Sequence, residues 1–532
     1  MIFISSCEQK KGKGFYVDKT LLSNTEVCAF PDAVTYEIFP QSFADTNNDG
    51  IGDINGITQK LGYLQNLGIK AIWLMPIMPS PSYHKYDVVD YKDVHPNYGD
   101  LPTFKKMVQE AHNHDIKIII DLIINHTSDQ HPWFLESKKG KDNPYRDYYI
   151  WATKTQIDSI SSMEKEATGD SDNITQWHDS EGSEEKYYGY FTGQMPDLNY
   201  DNPAVREEVI NIGKFWLEEV GVDGFRMDAA KHIYEDHRVT DNVEWWKSFK
   251  ASMRKIKPDV YIVGEVWDKS DFIAPFTEGL PAMFNFDMAF SILESVKREK
   301  NVSAYIEGSA WEVDENTTLT SAYLTTMAKY QAVTDDFQDA VFLSNHDQNR
   351  IMSMLDNNLE KAGLASAILL SLPGTPYIYY GEEIGMRGKK PDENIREPFL
   401  WDTKENDQFR TKWEEAIHST DNTVDPVSVQ LENSHSLLNQ YIALIQLRNR
   451  SKALTSGELV EYQTKAPGLL VFIRKYEKEE VLVIHNLSEK IQNIEIPKRF
   501  ENILFSSRNT SLKQGDQVQV SPYESVFVQS EK

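Results

Sequence analysis

From residue 33 onward, short apolar runs alternate with stretches whose apolar residues recur at three- and four-residue spacing. The runs are VTYEIF (34–39), AIWLMPI (71–77), IKIIIDLII (116–124), VDGFRMD (222–228), VYIVGEV (260–266), AMFNFD (282–287), AVFLSNHD (340–347) and PYIYYGEE (376–383). Continuous apolar strands belong in a sheet covered on both faces, the usual setting of parallel strands. The stretches between them, such as ITQKLGYLQNLG, LPTFKKMVQEAHNHD, AVREEVINIGKFWLEEVG and NLEKAGLASAILLSL, carry the helical period. Eight such strand–helix units predict an α/β fold closed into a (β/α)8 TIM barrel, over 33–126 and 199–452.

Two regions break the alternation. Residues 127–198, after the third strand, are polar and rich in Trp and Tyr, without a clear helix. They are far too long for an ordinary βα loop and predict a subdomain inserted on the C-terminal rim. After SLLNQYIALIQLRNRS (436–451) the pattern turns strand-like, with GLLVFIRKY, EVLVIHNLS, NIEIPKRF and ESVFVQS. That predicts a small antiparallel β domain over 453–532. Residues 1–32 are expected to be a signal-like segment and a polar tether.

Composition narrows the partners. The chain has 532 residues, 40% hydrophobic and 26% charged, enough for more than one domain. A net charge of −27 repels nucleic acid and anionic membrane surfaces, so a neutral substrate fits better. The 11 Trp, 26 Tyr and 24 Phe include faces suited to sugar rings, although most must serve the core. Two cysteines, Cys7 and Cys28, rule out a disulfide framework, and no run of about eighteen apolar residues offers a spanning helix. Ile4-Ser5-Ser6-Cys7 is similar to a bacterial lipobox, yet the apolar stretch before it is shorter than the roughly 7–15 residues of a signal core. It reads as a truncated lipoprotein signal that would tie the protein to the cell envelope through a lipidated Cys7. A chance match, with a soluble or cytoplasmic protein, is the alternative.

In a (β/α)8 barrel the active site forms at the C-terminal ends of the strands. Strand three ends with Asp121, Asn125 and His126, strand four with Arg226 and Asp228, strand five with Glu265, and strand seven with His346 and Asp347. Asp228 and Glu265 are 37 residues apart, about one βα unit, and so project from neighbouring strands into one mouth. Paired carboxylates suit glycoside hydrolysis, in which one attacks and the other moves a proton. Each has a plainer reading, because a strand-end Asp often caps the next helix and Arg226 could simply neutralise a buried Asp. Acids at four strand ends, beside His and Arg, favour the catalytic reading. Separately, DTNNDGIGDING (45–56) places Asp45, Asn47, Asp49 and Asp53 around a Gly-enabled turn. Hard oxygens at that spacing suit Ca²⁺, although Gly56 stands where an EF-hand has its Glu, and an ordinary polar turn is the alternative.

With DLIINH, GFRMDAAKH, GEVW and FLSNHD in order on successive strands, the chain resembles the α-amylase family of glycoside hydrolases from residue 33 onward. The resemblance implies a catalytic barrel, a subdomain after strand three and a C-terminal β-sandwich. It implies Asp228 as nucleophile, Glu265 as general acid/base and Asp347 as the acid that holds the distorted sugar. Arg226 would orient Asp228, His126 and His346 would donate to the same sugar ring, and Tyr86 would stack beneath it. Arg226 would keep Asp228 ionised, while a drier Glu265 among carboxylates would have its pKa raised.

The subfamily is mixed. MPDLN (195–199) lies between the QPDLN of oligo-1,6-glucosidases and the MPKLN of neopullulanases, which resembles an intermediary group. The early acidic loop is similar to the metal loop of the oligo-1,6-glucosidase branch, making Ile51 a further candidate ligand. Lys231 and His232 are similar to the pair that lines the leaving-group side in α-amylases. There a structural Ca²⁺ between barrel and insert implies Asn125, Asp197 and His232 as ligands. The leading expectation is an endo-acting retaining hydrolase of α-1,4-glucans such as starch and maltooligosaccharides. An exo-acting oligo-1,6-glucosidase or α-glucosidase, a neopullulanase-like transglycosylase and a non-catalytic glycan-binding relative are the alternatives.

Overall fold

The computed structural model describes residues 14–20, 27–161, 176–464, 466–508, 510 and 517–531; Cys7 and the lipobox lie outside them. Eight parallel strands close a barrel: β1 (Thr35–Ile38), β2 (Ala71–Leu74), β3 (Lys117–Leu122), β4 (Gly224–Met227), β5 (Tyr261–Gly264), β6 (Ala282–Phe284), β7 (Gln338–Phe342) and β8 (Thr375–Tyr379). Each pairs with its sequence neighbours, and β8 returns to β1 through Tyr377↔Thr35.

Side-chain parity sets the chemistry. Outward residues such as Ile72, Ile118, Ile120, Phe225, Ile262 and Val341 pack against the helices. Inward residues Trp73, Ile119, Val263, Phe284, Phe342 and Tyr377 fill the interior. Glu37, Asp121 and Arg226 share the inward parity, one step along their strands from that apolar plug. The barrel is thus packed below and charged above, which concentrates polar groups at one mouth. Gly224 is needed for this closure, since a Cβ there would meet the Tyr261 carbonyl oxygen at 2.2 Å.

Helices begin where short polar side chains hold their first amides. Asp53 caps 54–67, Asp100 caps 101–113, Asn202 caps 203–214 and Asn285 caps 286–298. Gly68 ends the first of these at φ 100°, a conformation that a side chain would strain. The helix begun at Pro203 continues through Phe215–Val220 as a π-helix, a departure from the single α-helix of the sequence pattern.

Between β3 and β4, the described residues of the insert hold a three-stranded sheet (151–153, 185–188, 177–178) and two short α-helices, Pro132–Ser137 and Lys154–Ser161. The sequence of 127–198 shows no clear helix because these two, of six and eight residues, are too short to display a helical period. The bridge His126↔Asp197 and the Leu198 amide, which donates to the Asn125 carbonyl at 2.9 Å, tie the insert to the end of β3.

The C-terminal domain is antiparallel, with 500–506, 525–530, 479–486, 469–476 and 458–461 adjacent in that order. One face packs under a two-stranded sheet (492–495 with 517–520), where Val471, Ile484, Val518 and Val526 meet. The other face, with Leu470, Phe472, Val483 and Phe527, joins the barrel's outer core. The expected tether is partly docked: Tyr16–Val17 pairs with Phe505–Ser506 as an edge strand, with Phe15 stacked on Phe505. That apolar triplet, Phe15 to Val17, is what a purely polar tether would lack.

Candidate active site

Arg226 organises the mouth. It is 1% exposed, and its Nη1 donates to Asp228 Oδ1 at 2.6 Å and Asp121 Oδ1 at 2.9 Å. Its Nη2 lies 2.7 Å from Glu265 Oε2. One guanidinium therefore bridges the acids of β3, β4 and β5, the planar fork that a lysine cannot reproduce. Asp228 and Glu265 keep 11% and 20% of their side chains exposed, so a ligand entering the mouth reaches both. Ala229, just after Asp228, takes φ 46°, a strained value for a non-glycine residue. The turn it makes lets the Ala230 amide donate to the Glu265 carbonyl at 3.0 Å, locking the two strand ends together.

A second charged group faces the first. His346 is fully buried, with Nδ1 2.6 Å from Glu37 Oε1 and Nε2 3.0 Å from Asp347 Oδ2. Burial alone would favour the neutral ring, but Asp347 and Glu37 raise its pKa to about 10, so it is an imidazolium. Partial desolvation opposes ionisation of Asp347, whose side chain stays 43% exposed, yet His346 and Arg396 hold it far below the usual carboxylate range. Arg396 Nη2 donates to Asp347 Oδ1 at 2.9 Å and to Asp392 Oδ2 at 3.0 Å. Tyr86 closes the circuit, donating to Asp121 Oδ2 at 3.1 Å while its oxygen lies 2.6 Å from His346 Nε2.

Carboxylates outnumber cations here. Arg226, His346 and Arg396 face Glu37, Asp121, Asp228, Glu265 and Asp347, and the surplus favours retention of a proton. Burial pushes the Glu265 carboxyl up to about 7; Arg226 opposes this, while Asp228 and Asp347 add to it. The site thus presents, side by side, an arginine-bound carboxylate and a carboxyl able to donate at neutral pH. That combination can attack an acetal carbon and protonate its leaving oxygen.

The structure brings Tyr86, His126, Arg226, Asp228, Glu265, His346 and Asp347 together. His126 is buried and held by the Tyr86 carbonyl at 3.1 Å, and burial lowers its pKa. Lys231 is placed differently from a leaving-group ligand. It is 2% exposed, with Nζ 3.0 Å from the Trp267 carbonyl and 3.3 Å from Asp268, so it braces the loop after β5. His232 stacks on Tyr190 of the insert at 4.0 Å. Two partners escaped the sequence reading. Glu37 was signalled by a lone acid inside the apolar run TYEI, whereas Arg396 lies in an aperiodic loop after β8.

The candidate metal positions fall in two places. In the loop after β1, Asp45 accepts the Asn48 and Gly50 amides, Asn47 that of Asp49, and Asp49 that of Ile51. Asp53 turns away from them, its oxygens taken by Thr46 and by the amide of Gly56. The three carboxylates therefore do not converge, because helix capping claims one; among the described residues no three His, Cys, Asp or Glu side chains form a ligand set. Between barrel and insert, Asn125 Oδ1 is buried without a hydrogen-bond partner among the described residues, and its Nδ2 lies 3.3 Å from Asp197 Oδ2. An orphaned oxygen beside a buried carboxylate fits a hard cation.

Known proteins are similar to this chain over most of its length. The family described as "Alpha amylase, catalytic domain" matches residues 37–457, and "Alpha-amylase SusG C-terminal domain" matches 469–527. Alpha-amylase 3 of Dictyoglomus thermophilum is 41% identical over 503 residues, 94% of this chain and 93% of its own. Oligo-1,6-glucosidase of Parageobacillus thermoglucosidasius is 32% identical over 547 residues, 91% of this chain and 94% of its own. The crystal structure of an α-amylase from H. orenii superposes with a TM-score of 0.82 at 38% identity, covering 94% of this chain and 99% of that one. With catalytic and C-terminal domains both matched, the chain belongs to the α-amylase family of glycoside hydrolases.

Proposed function

We propose that the protein is an endo-acting α-amylase that cleaves internal α-1,4-glucosidic bonds of starch and maltooligosaccharides with retention of configuration. The observation that carries this reading is the single Arg226 guanidinium joining Asp228 and Glu265, with Glu265 raised to about 7. Asp228 attacks the anomeric carbon as Glu265 gives its proton to the departing glycosidic oxygen, leaving a glycosyl ester on Asp228. Glu265, now a carboxylate, takes a proton from water, whose oxygen displaces Asp228. Retaining pairs stand about 5–5.5 Å apart, a separation that one bridging guanidinium favours. Asp347, held ionised by His346 and Arg396, accepts hydrogen bonds from the hydroxyls of the distorted sugar, while Tyr86 and His126 pack around the same ring. The α-amylase named among its relatives supports the endo reading.

A product time course tests it. Amylose should give mixed maltooligosaccharides early, and pullulan and isomaltose should be poor substrates. Glucose as sole first product, or preferred cleavage of isomaltose, would replace the proposal with the oligo-1,6-glucosidase reading. Products longer than the starting maltooligosaccharide would indicate transfer.

A structural Ca²⁺ belongs to the same proposal. Asn125 and Asp197, with His232 alongside, would hold it between barrel and insert; the ion would offset a carboxylate that burial raises to about 7. Asp45, Asn47, Asp49 and Ile51 offer a second, looser oxygen set. Chelation should lower the thermal midpoint and added Ca²⁺ restore it, the bound ion contributing about 2.7 kcal/mol of stability at a hundredfold excess over Kd. Asn125→Ala should blunt that response. A midpoint indifferent to chelator, with no calcium by elemental analysis, would return both places to plain polar turns. Lipidation of Cys7 and an envelope location complete the proposal: labelled fatty acid should attach to the full chain and be lost in Cys7→Ala.

A further inference from the structure

Away from the charged mouth, the barrel and the C-terminal domain enclose a cleft of about 210 Å³. The barrel side supplies Asn301, Thr318 and Thr320, at the foot of the hairpin Ser303–Asp314 and the start of the helix Leu319–Gln331. The other wall is the segment after the strand Glu458–Glu461, with Tyr462, Gln463 and Thr464. Leu469 and Val471 of the C-terminal sheet lie at its base. The two walls are joined directly: the Asn301 amide donates to the Pro467 carbonyl at 3.3 Å, and Thr320 Oγ1 donates to Glu461 Oε1 at 3.3 Å.

The chemistry of this lining narrows the ligand. Amides and hydroxyls dominate, and its two charges, Lys300 and Glu461, are of opposite sign, so an anion or a cation gains nothing net. Tyr462 is half-buried, with its hydroxyl tied to the Glu495 carbonyl at 3.1 Å, which fixes the ring at the cleft. Gln463 is exposed and its side chain has no hydrogen-bond partner among the described residues, leaving both amide atoms available. A fixed ring, the exposed Gln463 amide and an apolar base match a neutral ligand with hydroxylated edges and apolar faces, namely a sugar ring. The volume lies below the roughly 300–1,000 Å³ of ordinary ligand pockets, so it takes one or two sugar units.

We propose that this interdomain cleft is a non-catalytic α-glucan site that tethers the enzyme to polymeric substrate. The inference rests on the starch reading above and extends it to the C-terminal domain. Holding one segment of a polymer raises the effective concentration of its other segments at the mouth, a gain unavailable to short substrates. Cleavage chemistry is untouched, because none of these side chains reaches Asp228 or Glu265.

The test uses the full chain and two variants, Tyr462→Ala and Gln463→Ala. The exposed Gln463 is not involved in packing, so its variant should remain folded. Each is assayed for adsorption to granular starch and for kcat/KM on a short chromogenic maltoside. Adsorption should weaken about three- to tenfold with loss of the ring, and less with loss of the amide, while kcat/KM on the maltoside stays unchanged. Wild-type adsorption by both folded variants would overturn the proposal, as would an equal loss on the short maltoside. If wild-type enzyme adsorbs to starch but fails to cleave amylose, the starch-hydrolase reading falls while the site stands.

Discussion

Asp228→Asn is expected to lower kcat on amylose by more than about a thousandfold while leaving glucan binding and thermal stability near wild type. The substitution keeps the shape and can still accept from Arg226, so the bridge loses a charge and not a contact. An amide cannot form the glycosyl ester, and the remaining machinery supplies only binding and proton transfer. Glu265→Gln should behave differently. Substrates with an activated leaving group need little protonation, so their first half-reaction should fall far less than that of natural glucans. In the wild type, formation of the glycosyl-enzyme should decline as pH rises through about 7, where Glu265 gives up its proton, and that limb should vanish in the variant. Retained turnover above about a thousandth in Asp228→Asn would remove it from the nucleophile's place.

Which parts of this site were legible in the sequence follows from how each residue is held. Asp228 and Glu265 sit at the ends of apolar strands, and a strand that must be buried on both faces announces itself by composition. Once the strands are known, their C-terminal ends are known, and so is the mouth. Glu37 carried the same signal in reverse, as an acid that could persist inside a buried strand only with a partner, and His346 is that partner. Arg396 carried no such signal. Its contact with Asp347 joins residues 49 apart through a loop of no fixed period, and loops have no repeating geometry from which a partner can be read. Lys231 shows the opposite limit. Its motif was legible, but whether an ammonium faces substrate or braces a loop depends on Trp267 and Asp268 beside it.

The organisation around Arg226 predicts a coupled failure of stability and chemistry. Arg226→Met leaves Asp121, Asp228 and Glu265 facing one another without the cation that bridges them. Breaking a buried ion cluster by removing one partner costs about 3–5 kcal/mol, because the remaining charges stay desolvated and unpaired. Arg226 opposes the effect of burial on Asp121 and Glu265, so without it these carboxyls, already pushed up to about 7, rise further above their unfolded values. With that sign, the destabilisation relative to wild type grows as pH rises past about 7, where the wild-type carboxyls ionise and those of the variant do not, and is smaller below it. Asp228 also loses the guanidinium that holds its carboxylate in place, so kcat should fall as well. Arg226→Lys separates the two effects: an ammonium restores one positive charge but spans only part of the fork, so stability should recover more than activity. Equal thermal midpoints for wild type and Arg226→Met at pH 7 would mean that the bridge does not hold these acids. A midpoint gap that widens on acidification would mean that the missing charge is not what destabilises the variant.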